Sequence, residues 1–214
     1  MKILILGAAG QVSKILIDRL LKNTQHDLVL YAREADERLD YANNPRVKII
    51  SGDFTETEKL IKIMETGIDY IYLNDSNETK SMSSIISAME KTNTKKIIVA
   101  SVLDIHDEVK GQFAVWNNAH VTDKFALKHK ATAKLVEESE LEYTIIRLPW
   151  LYNQADNFEY ILTNKGEDFI GTQITREAVA KFIEDVIENK DNKFSRTSIG
   201  ISEPNTEFDK PSFY

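Results

Sequence analysis

Three residues into the chain, a strand, a turn of small residues and a helix follow one another without a break, "LILGAAGQVSKILIDRLL" from Leu4 to Leu21. This stretch constrains the fold more than any other. "KILILG" (2–7) is apolar without alternation, as expected of a strand covered on both faces in a parallel sheet. Val12, Ile15, Leu16 and Leu20 then recur at helical spacing. Between strand and helix the chain turns through Gly7-Ala8-Ala9-Gly10, with Gln11, Val12 and Ser13 opening the helix.

The same alternation runs on down the chain. "DLVLYA" (27–32), "RVKIISGD" (46–53), "IDYIYLND" (68–75), "KKIIVASV" (95–102), "EYTIIRL" (142–148) and "RTSIGIS" (196–202) read as strands. Helices are expected over 58–65, with Leu60, Ile61 and Met64 buried, and around Met82, Ile85, Ile86 and Met89. A further helix is expected over roughly 124–139. The last one carries Val179, Phe182, Ile183, Val186 and Ile187, with Thr175 as its N-cap. Residues 103–122 show no regular pattern. Strands alternating with helices predict an α/β fold of three layers, a parallel sheet covered on both faces. Right-handed crossovers then give a doubly wound order. A chain of 214 residues suffices for one well-cored domain and is short for two. The ending "EPNTEFDKPSFY" (203–214), with two prolines and three aromatics, reads as an extended surface strap.

Charge and composition exclude several functions. The formal net charge of −7 argues against a nucleic-acid surface, which wants a basic excess. With no cysteine there is no disulfide, thiolate nucleophile or cysteine-held zinc. The four histidines (26, 106, 120, 129) lack metal-ligand spacing, so no metal site is expected. The first strand begins at Lys2, and no apolar run approaches the ~18 residues of a spanning helix. A cytoplasmic protein without membrane contact, monomeric or homodimeric, acting on a small molecule, is the expectation.

The turn matches Gly-x-x-Gly-x-x-Ser. Gly7 permits the sharp bend off the strand, and Gly10 lets backbone amides approach a diphosphate. The helix N-terminus beyond offers free N–H groups. Ala9, Gln11 and Val12 join them as cofactor-binding positions, although a purely structural turn has the same outline. Ser13 stands where a third glycine is usual. An acid at the end of the second strand would select NAD(H). Arg33 stands there instead, and its guanidinium suits the 2′-phosphate of NADP(H), which is favoured over NAD(H). Arg38 is a second candidate; Glu34 blurs the signal, and a solvated loop arginine is the plainer reading of Arg33. Asp53 and Phe54 after the third strand are placed to hold the adenine, or Asp53 caps the next helix. Leu73 and Asn74 at the end of the fourth strand complete the set.

Taken together, "GAAGQVS", "SGDF", "VASV" and "KATAKLVEESELEYTIIRLPWLYN" resemble the atypical short-chain dehydrogenase/reductases, within them the NmrA-like NAD(P)H-binding group. The resemblance covers about residues 2–188. It implies a Rossmann-type single domain, 1–214, with seven parallel strands and a small substrate-side portion at about 150–214. It also implies an active site beside the nicotinamide, built from a Ser after strand five, a Tyr-x-x-x-Lys on the next helix and a backbone turn after strand six. Ser101 matches the first, though a strand-end serine also caps its own backbone. Pro149 matches the last. The middle element fails: Phe125 holds the Tyr position and His129 the Lys position, and a phenyl ring has no proton to give. His129 is then either a substitute acid or a partly exposed surface residue. His106 is either a participant or an ordinary loop residue. Trp116 and Trp150 either wall a flat pocket or pack in the core. Two functions fit the missing Tyr. One is an NAD(P)H-dependent oxidoreductase whose acceptor, a flavin or quinone, needs no such donor. The other is a non-catalytic sensor of NAD(P)(H).

Overall fold

The computed structural model describes residues 1–214. β1 (Lys2–Leu6) is the middle of the fold, and its side chains explain why the run is apolar throughout. Ile3 and Ile5 point into one core of 28 buried residues, Leu4 and Leu6 into a second core of 23. With cores of similar size on both sides, neither face of the strand meets water. α1 (Gln11–Asn23) and α7 (Arg176–Glu188) cover the first face. α3 (Thr57–Met64), α4 (Thr79–Thr92) and α6 (Asp123–Glu138) cover the second.

β1 is flanked by β2 (Asp27–Ala32) and then β3 (Val47–Ser51) on one side. On the other side follow β4 (Tyr70–Leu73), β5 (Lys96–Val102), β6 (Glu142–Leu148) and β10 (Thr197–Ser202). These seven are parallel, as the resemblance implied. An eighth strand, β8 (Ile161–Asn164), closes the edge antiparallel to β10. The chain order reverses between β1 and β4, the switch point where doubly wound sheets open a crevice at the carboxyl ends of the strands.

Five elements have no counterpart in the sequence reading. Besides β8, a parallel pair forms from β7 (Trp150–Tyr152) and β9 (Gln173–Thr175). Each is only three or four residues long, too short to show a period. α5 (Gly111–His120) falls in the stretch that showed no pattern; only its Phe113 and Asn117 are buried, so it has no apolar stripe to read. The four-residue α2 (Ala35–Arg38) follows β2.

Thr175 does cap α7: its hydroxyl oxygen accepts from Ala178 N at 3.0 Å and donates to Asn157 O at 2.7 Å. Thr175→Ala is therefore expected to lower stability by about 0.5–2 kcal/mol. Thr175→Ser should keep most of it, as a pair of denaturant melts would show; equal loss in both would contradict the capping role.

Candidate functional site

The glycine turn is built to leave donors free. Gly7 sits at φ +81°, where a side chain is strained, and Gly7 N and Ala8 N both donate to Tyr31 O (2.9 and 3.2 Å). That bends the chain sharply off β1. Gly10 N returns to Gly7 O at 3.0 Å, and the first helical bond runs from Lys14 N to Gly10 O. The amides of Ala9, Gln11 and Val12 donate to no acceptor in the chain. A Cβ added at Gly10 would run into the Asn74 side chain, so the floor here has no room for one. Ser13 replaces the third glycine without loss. It is fully buried and its hydroxyl donates to Gly7 O at 3.0 Å, which stiffens the turn.

Over this turn lies a groove of about 400 Å³ at the carboxyl ends of β2, β1 and β4. It brings together Gly7, Ala9, Gly10, Arg33, Asp53, Phe54 and Asn74. Arg38, at the end of α2, lines it too, and its guanidinium donates to Arg33 O at 3.2 Å, which brings the two cations to one side of the groove. Asp53 lines the groove but does not cap α3, whose N-cap position is Glu56 and carries no side-chain cap bond. The Asp53 carboxylate accepts from Thr55 N (3.0 Å) and Thr55 Oγ1 (2.7 Å) while facing the groove. Those two bonds, with help from the Arg33 charge, hold its carboxyl below the usual range, so it is an ionised acceptor at neutral pH. The Phe54 amide has no acceptor in the chain. Asn74 is fixed by Tyr72, a fully buried residue whose hydroxyl donates to Asn74 Oδ1 at 3.0 Å.

The other positions expected from the sequence to meet a cofactor lie outside the groove lining. Val12 and Leu73 send their side chains into the two cores and leave only backbone toward the site. Gln11 is exposed at the start of α1. Ser101 and Pro149 stand further along the same edge, at the ends of β5 and β6. The groove also takes in Gly52, Asp75, Asn77, Glu78 and Ser81, which the sequence reading missed. Asp75, Asn77 and Glu78 come from the β4–α4 connection and Ser81 from the first turn of α4, and no local motif announces that.

Ser101 Oγ is buried without any hydrogen-bond partner, which overturns the idea that it caps its own backbone. A buried hydroxyl left unpaired in this way costs free energy until a partner arrives. His129 is not a surface residue either; it is 4% exposed. Its Nδ1 lies 3.4 Å from Ser76 Oγ, and that hydroxyl donates to Ala100 O at 2.7 Å. With the Ser76 proton given to the carbonyl, an Nδ1–H can donate to Ser76 Oγ, and in that tautomer Nε2 carries the lone pair. Burial also pushes the imidazole below its ordinary pKa, against the opposing charge of Asp75, so it is neutral near pH 7. Phe125 packs on it with ring centres 4.6 Å apart and is 41% exposed.

His106 is drawn away from this edge. Its Nε2 is 3.0 Å from Ser198 Oγ in the first half of β10 and 3.6 Å from Glu137 near the far end of α6. The loop carrying it is fixed by a buried ion pair, Arg147 Nη1 to Glu108 Oε1 at 2.7 Å. The same carboxylate accepts from Asp104 N and His106 N. No group of histidine, aspartate and glutamate has the arrangement of a metal site, and no helix is long and apolar enough to cross a membrane.

The sequence matches the NAD(P)H-binding family over residues 7–190. A short-chain dehydrogenase/reductase from Veillonella parvula, solved in complex with NADP, is 33% identical, with a TM-score of 0.96 over 99% of both chains. A Rossmann-fold NAD(P)-binding family protein from Shigella flexneri is 30% identical, with a TM-score of 0.82 over 100% of this chain and 98% of that one. A UPF0659 protein of Saccharomyces cerevisiae is 23% identical over 86% of this chain and 85% of its own.

Proposed function

The chain belongs to the NAD(P)H-binding family, and from that premise we propose that it is an NADPH-dependent oxidoreductase serving a flat, conjugated acceptor of the flavin or quinone class. What carries this reading is a dinucleotide cradle set beside a helix with no proton to give. Phe125 has no acidic hydrogen, and burial keeps the His129 imidazole neutral, a poor acid. A carbonyl acceptor needs a positioned acid as its alkoxide forms. A flavin or quinone does not, because its reduced anion is protonated by water.

In this reading the free amides of Ala9, Gln11 and Val12 hold the diphosphate. Arg33 and Arg38 pair the 2′-phosphate, while Asp53 accepts from the adenine amino group and the Phe54 amide donates to the ring. The Leu73 backbone and Asn74 carry the path past the switch point. Ser101 offers its unpaired hydroxyl at the nicotinamide end, and the Pro149 turn meets the carboxamide. His129 acts there as a hydrogen-bond acceptor and a positioning residue. NADPH held in this way supplies a hydride to the acceptor, leaving NADP⁺, and water supplies the proton that completes the reduction. The segment from about 150 to 214 forms the acceptor side.

The test is NADPH oxidation by purified protein with menadione, FMN and an aldehyde in turn. Turnover with the first two and not the third is expected. Tight NADPH binding with no turnover of any acceptor would contradict an enzyme and leave the sensor. A second outcome concerns Arg33→Ala. Losing one charge-assisted contact should cost about 1.5–3 kcal/mol, roughly a 10- to 150-fold loss in NADPH affinity, with NADH affinity unchanged. Equal losses for both cofactors would show that Arg33 does not read the phosphate.

A further inference from the structure

Tyr72 lies at the centre of the sheet, 0% exposed, with Ile5 of β1 beside it on one side and Ile98 of β5 on the other. A phenylalanine would fill that place as well, so the hydroxyl calls for an account. A buried hydroxyl costs free energy unless it is bonded. This one has a single partner, Asn74 Oδ1 at 3.0 Å, two residues along on the same face of the strand. Burial pushes the phenol pKa far up, so it keeps its proton at any working pH and is a donor throughout.

The bond fixes an amide at the carboxyl end of β4, across the switch point from the glycine turn. The Asn74 backbone is held there too, its N–H donating to Leu6 O at 3.0 Å. With Oδ1 on the phenol, the amide nitrogen faces the turn: Nδ2 is the atom that a Cβ built on Gly10 would meet first. No acceptor in the chain takes a hydrogen from Nδ2, and Asn74 lines the groove. It stands with the amides of Ala9, Gln11 and Val12 as a free donor, supplied by β4 rather than by the turn. Turned over about its last bond, the amide would show its oxygen to the groove instead and repel an anion. A phenol gives a hydrogen more readily than it accepts one, because its lone pair is drawn into the ring, and this favours the observed setting.

We propose that Tyr72 is a positioning residue for the cofactor: its hydroxyl holds the Asn74 amide with the NH₂ toward the diphosphate, which lies between the N-terminus of α1 and the end of β4. This rests on the dinucleotide reading of the groove. The diphosphate is common to NADPH and NADH, so the contact sets affinity for both and does not choose between them. That choice is left to Arg33 and Arg38.

The test is a double-mutant cycle on the full-length protein, read by titration with NADPH and with NADH through the fluorescence of the reduced nicotinamide. Asn74→Ala removes the donor and should weaken both cofactors about 10- to 150-fold, the worth of one charge-assisted bond. Tyr72→Phe keeps the ring and frees the amide to turn, and both cofactors should weaken about three- to tenfold. Added to Asn74→Ala, Tyr72→Phe should change nothing further, because the amide it acts through is gone. Asn74→Asp keeps the bond from Tyr72 but aims a carboxylate oxygen at the diphosphate, and should bind worse than Asn74→Ala. Wild-type affinity in Tyr72→Phe or in Asn74→Asp overturns the positioning role. So does an equal loss from Tyr72→Phe with and without Asn74, which would mark a general loosening of the strand. A Tyr72→Phe loss confined to NADPH overturns it as well, since it would place the effect at the 2′-phosphate. The dinucleotide reading is judged by the wild type. No saturable binding of either cofactor sinks that reading and the proposal with it; saturable binding that Tyr72→Phe leaves unmoved sinks the proposal alone.

Discussion

Gly10→Val is expected to abolish NADPH binding while the protein remains folded. Gly10 has an ordinary helical-entry backbone, φ −69°, so the residue is needed for space and not for conformation. A valine there stands over the amides that face the diphosphate, and its Cβ displaces the Asn74 side chain. Losing two charge-assisted bonds costs about 3–6 kcal/mol, a factor of roughly 10² to 10⁴ in affinity. The fold loses little by comparison. Asn74 is the flexible end of a short side chain, and its one tie is the hydrogen bond from Tyr72, worth about 1 kcal/mol. The variant should melt a few degrees lower and show no saturable change in NADPH fluorescence. Retained NADPH affinity would mean that the diphosphate lies elsewhere.

The second large effect is the failure to reduce simple aldehydes and ketones. General acid catalysis contributes about 10²- to 10⁴-fold, and the position that would supply it holds Phe125. The neighbouring histidine is not expected to rescue the reaction, since burial lowers its pKa and keeps the imidazole neutral, a poor acid. Aldehyde reduction by the wild type should stay near background, and His129→Ala should not lower it further. Phe125→Tyr combined with His129→Lys restores a phenol and a cation at the right spacing and should raise the rate. Brisk aldehyde reduction by the wild type, intact in His129→Ala, would show that the proton comes from another group.

The fold was legible where an element carries a continuous apolar run or a stripe at helical spacing, and not where, as in α5, neither is present. β1, β2, β5 and β6 are long apolar runs because both faces are buried, and the helices over them carry unbroken stripes. The grouping of Gly7, Ala9, Gly10, Arg33 and Asp53 along one groove was legible for a related reason: the first three are neighbours in sequence, and Arg33 and Asp53 each follow a strand. What stayed hidden depends on folding back. Asp75 and Ser81 reach the groove only because α4 starts above the turn. Trp116 and Trp150 meet each other, His120 and Tyr214 in one ring cluster packed on the core, a convergence that no window shows. His129 was misread for a different reason. Its sequence neighbours Lys128 and Lys130 are charged, but helical spacing puts it in line with Thr132, Ala133 and Val136 on the buried face, and the polar partner that meets it there, Ser76, comes from another element.

The central claim is that this groove holds a dinucleotide with its 2′-phosphate on Arg33 and Arg38. It is tested most directly by titrating the wild-type protein with NADPH and NADH side by side, following the fluorescence of the reduced nicotinamide. Saturable binding of both is predicted, with NADPH tighter by at least about tenfold, the smallest effect expected of one charge-assisted contact. Equal affinities, or tighter binding of NADH, would contradict the account.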